Sequence, residues 1–142
     1  MNKKILILCT GNSCRSQMAE GFLRDFNNDL EVFSAGTFPA KVVNPNSIAV
    51  MKELGIDISF QSPNDVSDYV NENFDYVITV CDNAREICPV FTGNVKHRLH
   101  LGFTDPAEAT GTSEKILNEY REVRDEIQTT FRHFYNSKLK EK

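Results

Sequence analysis

Four apolar residues, Ile5-Leu6-Ile7-Leu8, run into Cys9; the loop Thr10-Gly11-Asn12-Ser13-Cys14-Arg15-Ser16 follows, and Gln17 to Leu23 then reads as helix. An unbroken apolar run of this length fits a short strand buried on both faces of a parallel sheet. The junction therefore sets a thiol at the carboxyl end of a strand and leads from it straight into a helix N-terminus. Backbone N–H groups and the positive end of the helix dipole converge at such a place, which makes it an oxyanion site. The same field favours thiolate over thiol: a cysteine pKa near ~8.5 falls to roughly 3.5–7.5 beside helix N-termini and arginines. Arg15 adds a planar fork for two oxygens of a tetrahedral anion. Gly11 is expected to supply a tight turn, and the Ser13 and Ser16 hydroxyls to donate to the sulfur or brace the loop. Cysteine is often buried and inert; it is the combination Cys-x5-Arg-Ser between strand and helix that marks Cys9 as a nucleophile. Thr10, Gly11, Asn12, Ser13, Cys14, Arg15 and Ser16 are then its oxyanion cradle.

The remaining chain alternates strand and helix. The first helix is expected over about Ser16 to Asn27, and Glu31 to Ala35 forms a second strand ended by Gly36. Asn44 caps the next helix with Pro45 at its first position, and Gly55 stops it. Ile56-Asp57-Ile58 is extended. Asn64 or Asp65 caps a short helix carrying Val66, Tyr69 and Val70. A third strand, Phe74 to Val80, ends at Cys81 as the first ends at Cys9, and Val95 to Leu101 is a fourth. The last helix starts near Thr112 or Ser113 and runs past Phe134. Its residues Ile116, Tyr120, Val123, Ile127, Phe131 and Phe134 recur at the helical period and form one core-facing stripe. This alternation predicts an α/β fold with a doubly wound parallel sheet, in which ligands bind beyond the carboxyl ends of the strands. Neither G-x-G-x-x-G nor the Walker phosphate loop is present.

With 142 residues the chain is the size of one domain, 1–142, able to fold without metal or disulfide. A net charge of −4 argues against a nucleic-acid partner, so an anionic substrate must be drawn in locally. Lys138, Lys140 and Lys142 read as a solvated tail. The apolar run before Cys9 is too short for a secretion signal, and no stretch approaches a membrane span. A cytoplasmic protein is expected, and its four cysteines point to chemistry or inert burial before structural disulfides.

The pattern Cys-x5-Arg-Ser near the N-terminus resembles the low-molecular-weight protein tyrosine phosphatase superfamily, and the run Cys9 to Gly21 is similar to its thioredoxin-coupled arsenate reductase branch. The resemblance spans nearly the whole chain. It implies a four-stranded parallel sheet flanked by helices on both faces. It also implies a relay in which Cys9 attacks arsenate, Cys81 attacks Cys9 and releases arsenite, Cys88 attacks Cys81, and thioredoxin reduces the Cys81–Cys88 disulfide.

The residues themselves bear on that choice of branch. A phosphatase needs one thiolate, whereas reducing arsenate moves two electrons, which a pair of thiols supplies on becoming a disulfide. Cys81 and Cys88 meet the requirement if the polar segment between them unwinds, since a helix holds residues seven apart at ~10.5 Å and a disulfide needs Cα atoms within ~7 Å. Cys14 reads as structural. Cys81, Cys88, His97 and His100 have the wrong spacing for a zinc set, so the histidines, His133 included, are expected at the surface or a sheet edge. Asp105 is the candidate general acid, stiffened by Pro106; the position is where the family places its acid. Ala107 and Glu108 follow, where the phosphatase branch typically has aromatics that wall a phosphotyrosine ring. Thr104 and Leu101 replace an Asp and a Trp frequent in the reductase branch. Asn12, Glu20, Ser34 and Ser62 match a potassium site of some reductases, but Asn64 stands at the position of that site's aspartate, with Asp65 one residue on. Whether the cation binds stays open.

Three functions compete. One is arsenate reduction by Cys9, Arg15, Asp105, Cys81 and Cys88 with thioredoxin as reductant and no cofactor. The second is phosphomonoester hydrolysis by Cys9, Arg15 and Asp105 alone, for phosphotyrosine or a small phosphate ester. The third is a non-catalytic anion sensor or thioredoxin-docking module. No nucleic-acid or membrane partner is expected, and a monomer follows from the size and the lack of an extra apolar helix face.

Overall fold

In the computed structural model the described residues are 3–82 and 90–140. Four parallel strands form one sheet in the order β2-β1-β3-β4, with β1 Lys4–Cys9, β2 Glu31–Gly36, β3 Asn73–Thr79 and β4 Asn94–His100. Among the described residues three α-helices accompany them, α1 Arg15–Phe26 after β1, α2 Pro45–Lys52 after β2 and α3 Ser113–Phe134 after β4, and short 3-10 helices cover Val66–Tyr69 and Pro106–Glu108. The chain moves from β1 outward to β2 and then returns across β1 to β3. The strand order thus reverses at the carboxyl end of β1, the place where open parallel sheets take ligands. Cys9 is the last residue of that strand.

The two faces of the sheet are covered differently. Ile5 and Ile7 of β1 and Tyr76 and Ile78 of β3 meet Met18 and Phe22 of α1, Val50 and Met51 of α2, and the α3 stripe in one core. Leu6, Leu8, Ala35, Phe74 and Val77 face the other way, where Val66 and Tyr69 of the 3-10 helix and Phe91 close over them. The α3 stripe buries as its period requires: Tyr120, Val123, Ile127, Phe131 and Phe134 are buried, and Ile116 packs against them partly exposed. β4 is an edge strand in which Lys96, His97, Arg98 and His100 are exposed, and His133 is exposed on α3. No helix among the described residues is long and apolar enough to cross a membrane.

Local signals decide the helix ends. Asn44 accepts from the Asn46 N–H (2.8 Å) with Pro45 next, and Thr112 accepts from the Lys115 N–H (3.2 Å). Of the two candidate caps for the short helix, Asp65 is the one used, and the helix is 3-10. Gly55 sits in the left-handed region (φ 77°) just past α2. Ile56-Asp57-Ile58 pairs with no strand; Ile58 is instead buried under α1, where a Cβ on Gly21 would lie 2.7 Å from it.

Arg124 is buried on the α3 stripe, which an apolar reading of the sequence overlooks. Its Nη1 donates to Glu53 Oε1 (2.7 Å) and to the Val50 carbonyl (2.9 Å), while Arg121 Nη2 donates to Glu53 Oε2 (2.8 Å), so one carboxylate ties the end of α2 to α3. The Arg121 hydrogen bonds, then those of Arg124, pull the Glu53 carboxyl from about 4.5 down to about 2. A carboxyl depressed in the folded state stabilises fully above its unfolded pKa and progressively less as pH falls through its folded one. The melting temperature of wild type is therefore expected to exceed that of Glu53→Gln by a constant margin above pH ~5. That margin should shrink between about 4.5 and about 2; a pH-independent difference in thermal melts would contradict it.

Candidate active site

The loop after β1 owes its shape to bonds made by its carbonyl oxygens. Thr10 O accepts from Phe38 N (3.0 Å), Gly11 O from Ala40 N (2.9 Å) and Ser13 O from Asn44 N (3.0 Å). The segment between β2 and α2 thus takes up the carbonyls that would repel an anion. The left-handed residue of the loop is Asn12 (φ 49°), next to Gly11. Asparagine tolerates that region because its side chain bonds locally. Here Asn12 is wholly buried, its Nδ2 donates to Ser16 Oγ (2.7 Å), its Oδ1 accepts from Asn64 N (2.8 Å), and its carbonyl accepts from Gln17 Nε2 (2.9 Å). Ser16 braces the loop in this way, and Ser13 Oγ lies 3.6 Å from Cys14 Sγ.

Arg15, the first residue of α1, is 3 % exposed. Its Nη1 donates to the Phe103 carbonyl (3.1 Å) and its Nη2 lies 3.6 Å from Asp105 Oδ2. Asp105 in turn caps the 3-10 helix that begins at Pro106, accepting from Ala107 N (3.0 Å). A cavity of about 180 Å³ results, lined by Cys9, Thr10, Gly11, Asn12, Ser13, Cys14, Arg15, Asp105 and Ala107. It is smaller than the ~300–1,000 Å³ of pockets for larger organic ligands, and it suits a small ion. Of the predicted residues, the loop, Arg15 and Asp105 share this one space; Ser16 stands behind it.

The cysteines divide into three kinds. Cys9 is 3 % exposed on the cavity wall, and neither it nor Cys14 is in a disulfide. Burial pushes the Cys14 thiol up, as suits a structural role. Cys81 is fully buried and disulfide-bonded. It follows Val80, whose N–H donates to Leu8 O (3.0 Å), so Cys81 leaves β3 beside the strand that ends in Cys9. Cys88 lies outside the described residues.

Asn12, Glu20, Ser34 and Ser62 do converge, but their oxygens are already engaged by donors of the chain itself. Glu20 Oε1 accepts from Ser34 Oγ (2.7 Å) and Oε2 from Arg24 Nε (3.0 Å). Asn64 Nδ2 donates to the Ser34 and Ser62 carbonyls (3.1 and 3.0 Å). Burial also raises the Glu20 carboxyl. An amide donor in place of a carboxylate, with a guanidinium on Glu20, does not fit a potassium ion.

Sequence reasoning missed two contributors. Gly36 reads as a strand stop, yet a Cβ there would penetrate the Thr10 carbonyl; only glycine lets β2 approach the loop so closely. Tyr120 reads as core, yet its hydroxyl reaches Cys14 Sγ (3.7 Å). A tyrosine among the aliphatic positions of a buried stripe was the available signal, because a buried hydroxyl seeks a partner.

A parallel sheet with a thiol-bearing loop at its reversal point and an arginine at the start of the next helix defines a phosphatase-like architecture. The profile of the family described as low molecular weight phosphotyrosine protein phosphatase matches residues 4–142. The arsenate reductase of Halalkalibacterium halodurans is 49% identical over 129 residues, covering 89% of this chain and 91% of that protein. A solved arsenate reductase in the phosphate binding state superposes with a TM-score of 0.79 at 29% identity, over 95% of this chain and 98% of that one. A thioredoxin-dependent arsenate reductase of Corynebacterium glutamicum gives 0.68 at 26% identity, over 96% of this chain and 61% of that one. The chain belongs to the low-molecular-weight phosphotyrosine protein phosphatase family and stands with the arsenate reductases within it.

Gly36→Ala is expected to lower the melting temperature by several degrees, the equivalent of ~1–3 kcal/mol of overpacking, and to weaken inorganic phosphate binding at least tenfold. Unchanged phosphate affinity by calorimetry would show that the loop does not depend on that approach.

Proposed function

We propose that this chain reduces arsenate to arsenite in the cytoplasm through a three-thiol relay renewed by thioredoxin. Cys9 attacks the arsenic of arsenate held by the loop amides and Arg15, and Asp105 protonates the departing hydroxide. Cys81 as thiolate then attacks Cys9 Sγ. The arsenic–sulfur bond breaks with its electron pair passing to arsenic, arsenite departs, and a Cys9–Cys81 disulfide remains. Cys88 attacks Cys81 and releases Cys9 as thiolate; the dithiol of thioredoxin reduces the Cys81–Cys88 disulfide and is itself oxidised.

The observation that carries this reading is the placement of Cys9 and Cys81 at neighbouring strand ends, with Cys81 disulfide-bonded. It is supported by the arsenate reductase name of a relative 49% identical over most of its length and by Ala107 on the cavity wall, which gives an aromatic ester no ring to pack on. Phosphomonoester hydrolysis is the second reading, favoured by the family match; it needs only Cys9, Arg15 and Asp105. The protein acts as a monomer under either.

The test is NADPH consumption with thioredoxin, thioredoxin reductase and arsenate. Single Cys→Ser changes at 9, 81 and 88 are each expected to lower steady turnover by at least 10²-fold, and Asp105→Asn by roughly 10²-fold. Full turnover without Cys88 would sink the relay. Aryl phosphate hydrolysis indifferent to Cys81 and Cys88, with no arsenate turnover, would install the phosphatase instead.

A further inference from the structure

Cys14 occupies the N-cap of α1, a position where Ser, Thr, Asp or Asn normally accepts a hydrogen bond from a first-turn N–H. The other two α-helices follow that rule: Asn44 (φ −61°, ψ 128°) and Thr112 (φ −69°, ψ 161°) both cap from extended backbone. Cys14 does not. Its backbone (φ −124°, ψ −83°) lies away from the capping range, its side chain makes no cap bond, and no acidic residue stands in the first turn. The side chain is drawn elsewhere. It is 4 % exposed, 3.6 Å from Ser13 Oγ and 3.7 Å from Tyr120 Oη, reached across the core from α3. Tyr120 is itself buried and its hydroxyl is pushed well above the usual range by that burial, so it stays a neutral hydroxyl.

We propose that Cys14 is a positioning residue: a side chain unable to cap, held off the helix end by Tyr120, keeps the first-turn N–H groups of α1 open to the oxyanion. The inference rests on the cavity being an oxyanion site, and goes beyond it by giving the second cysteine of the loop a purpose. A capping oxygen at this position would create a competing state. It would draw residue 14 into extended backbone, engage the N–H groups internally, and turn Ser13 and Arg15 off the anion. A thiol accepts hydrogen bonds too weakly to open that state.

The prediction is that helix stability and anion affinity move in opposite directions, which a merely structural role for Cys14 would not produce. Inorganic phosphate is titrated calorimetrically into wild type, Cys14→Ala and Cys14→Ser, and each is melted without phosphate. Cys14→Ser is expected to bind phosphate roughly fivefold more weakly than Cys14→Ala while melting higher; fivefold corresponds to about 1 kcal/mol, the ordinary worth of a cap. Adding Tyr120→Phe to Cys14→Ser releases the new hydroxyl and should widen the gap further. Cys14→Asn, a second capping side chain, should follow the serine variant. Equal or tighter phosphate binding by Cys14→Ser than by Cys14→Ala overturns the inference, as does a fall in both affinity and melting temperature. Wild type that binds no phosphate overturns it together with the oxyanion site. Wild type that binds phosphate but does not turn over arsenate removes the reductase reading alone, and the serine–alanine comparison then decides this one.

Discussion

A guanidinium only 3 % exposed is a charge taken almost wholly out of water, and the cost of that removal shapes everything near it. Arg15 offsets it with the Phe103 carbonyl at 3.1 Å and Asp105 at 3.6 Å. Both partners come from the stretch after β4, and that stretch is fastened to β3 by Leu101 N to Thr79 O (2.9 Å) and Phe103 N to Val80 O (3.1 Å). The arginine is thereby tied to the end of the strand that leads to Cys81. Arg15 and Asp105 both line the cavity beside Cys9, so the guanidinium and its carboxylate partner face the same small space.

The loop obeys a complementary constraint. Its carbonyls are bonded to the segment before α2, its one left-handed residue is locked by Asn64, Ser16 and Gln17, and Gly36 lets β2 close against it. These constraints come from four separate parts of the chain. Bonds of this kind hold the loop in one shape without a ligand.

The strands, the three α-helices and the Cys9-to-Ser16 loop were legible because periodicity and local chemistry decide them: an apolar run ending in Cys9, Asn44-Pro45 at a helix start, a stripe from Tyr120 to Phe134. What was illegible depends on contacts distant in sequence. The left-handed conformation of Asn12 is one such feature, since Asn64 from another part of the chain satisfies its side chain. Arg124 escapes an apolar reading of the last helix, because its burial depends on Glu53 and the Val50 carbonyl. The cation positions could be matched by residue type, but only the hydrogen bonds of Asn64 and Arg24 reveal that the oxygens are engaged.

The order of strands also has a bearing on when the chain completes its cavity. β1 is central, so its neighbours arrive from residues 31–36 on one side and 73–79 on the other. Parallel pairing across such separations is slow, because chain entropy is lost before contacts form. During synthesis, β1 lacks its second neighbour until β3 has emerged, and Arg15 lacks its carbonyl and carboxylate partners until residues 103 and 105 follow. The setting of Arg15 beside Cys9 is thus incomplete in any fragment that stops short of residue 105. The cavity around Cys9 therefore closes last, when the stretch after β4 has been fastened to the finished sheet.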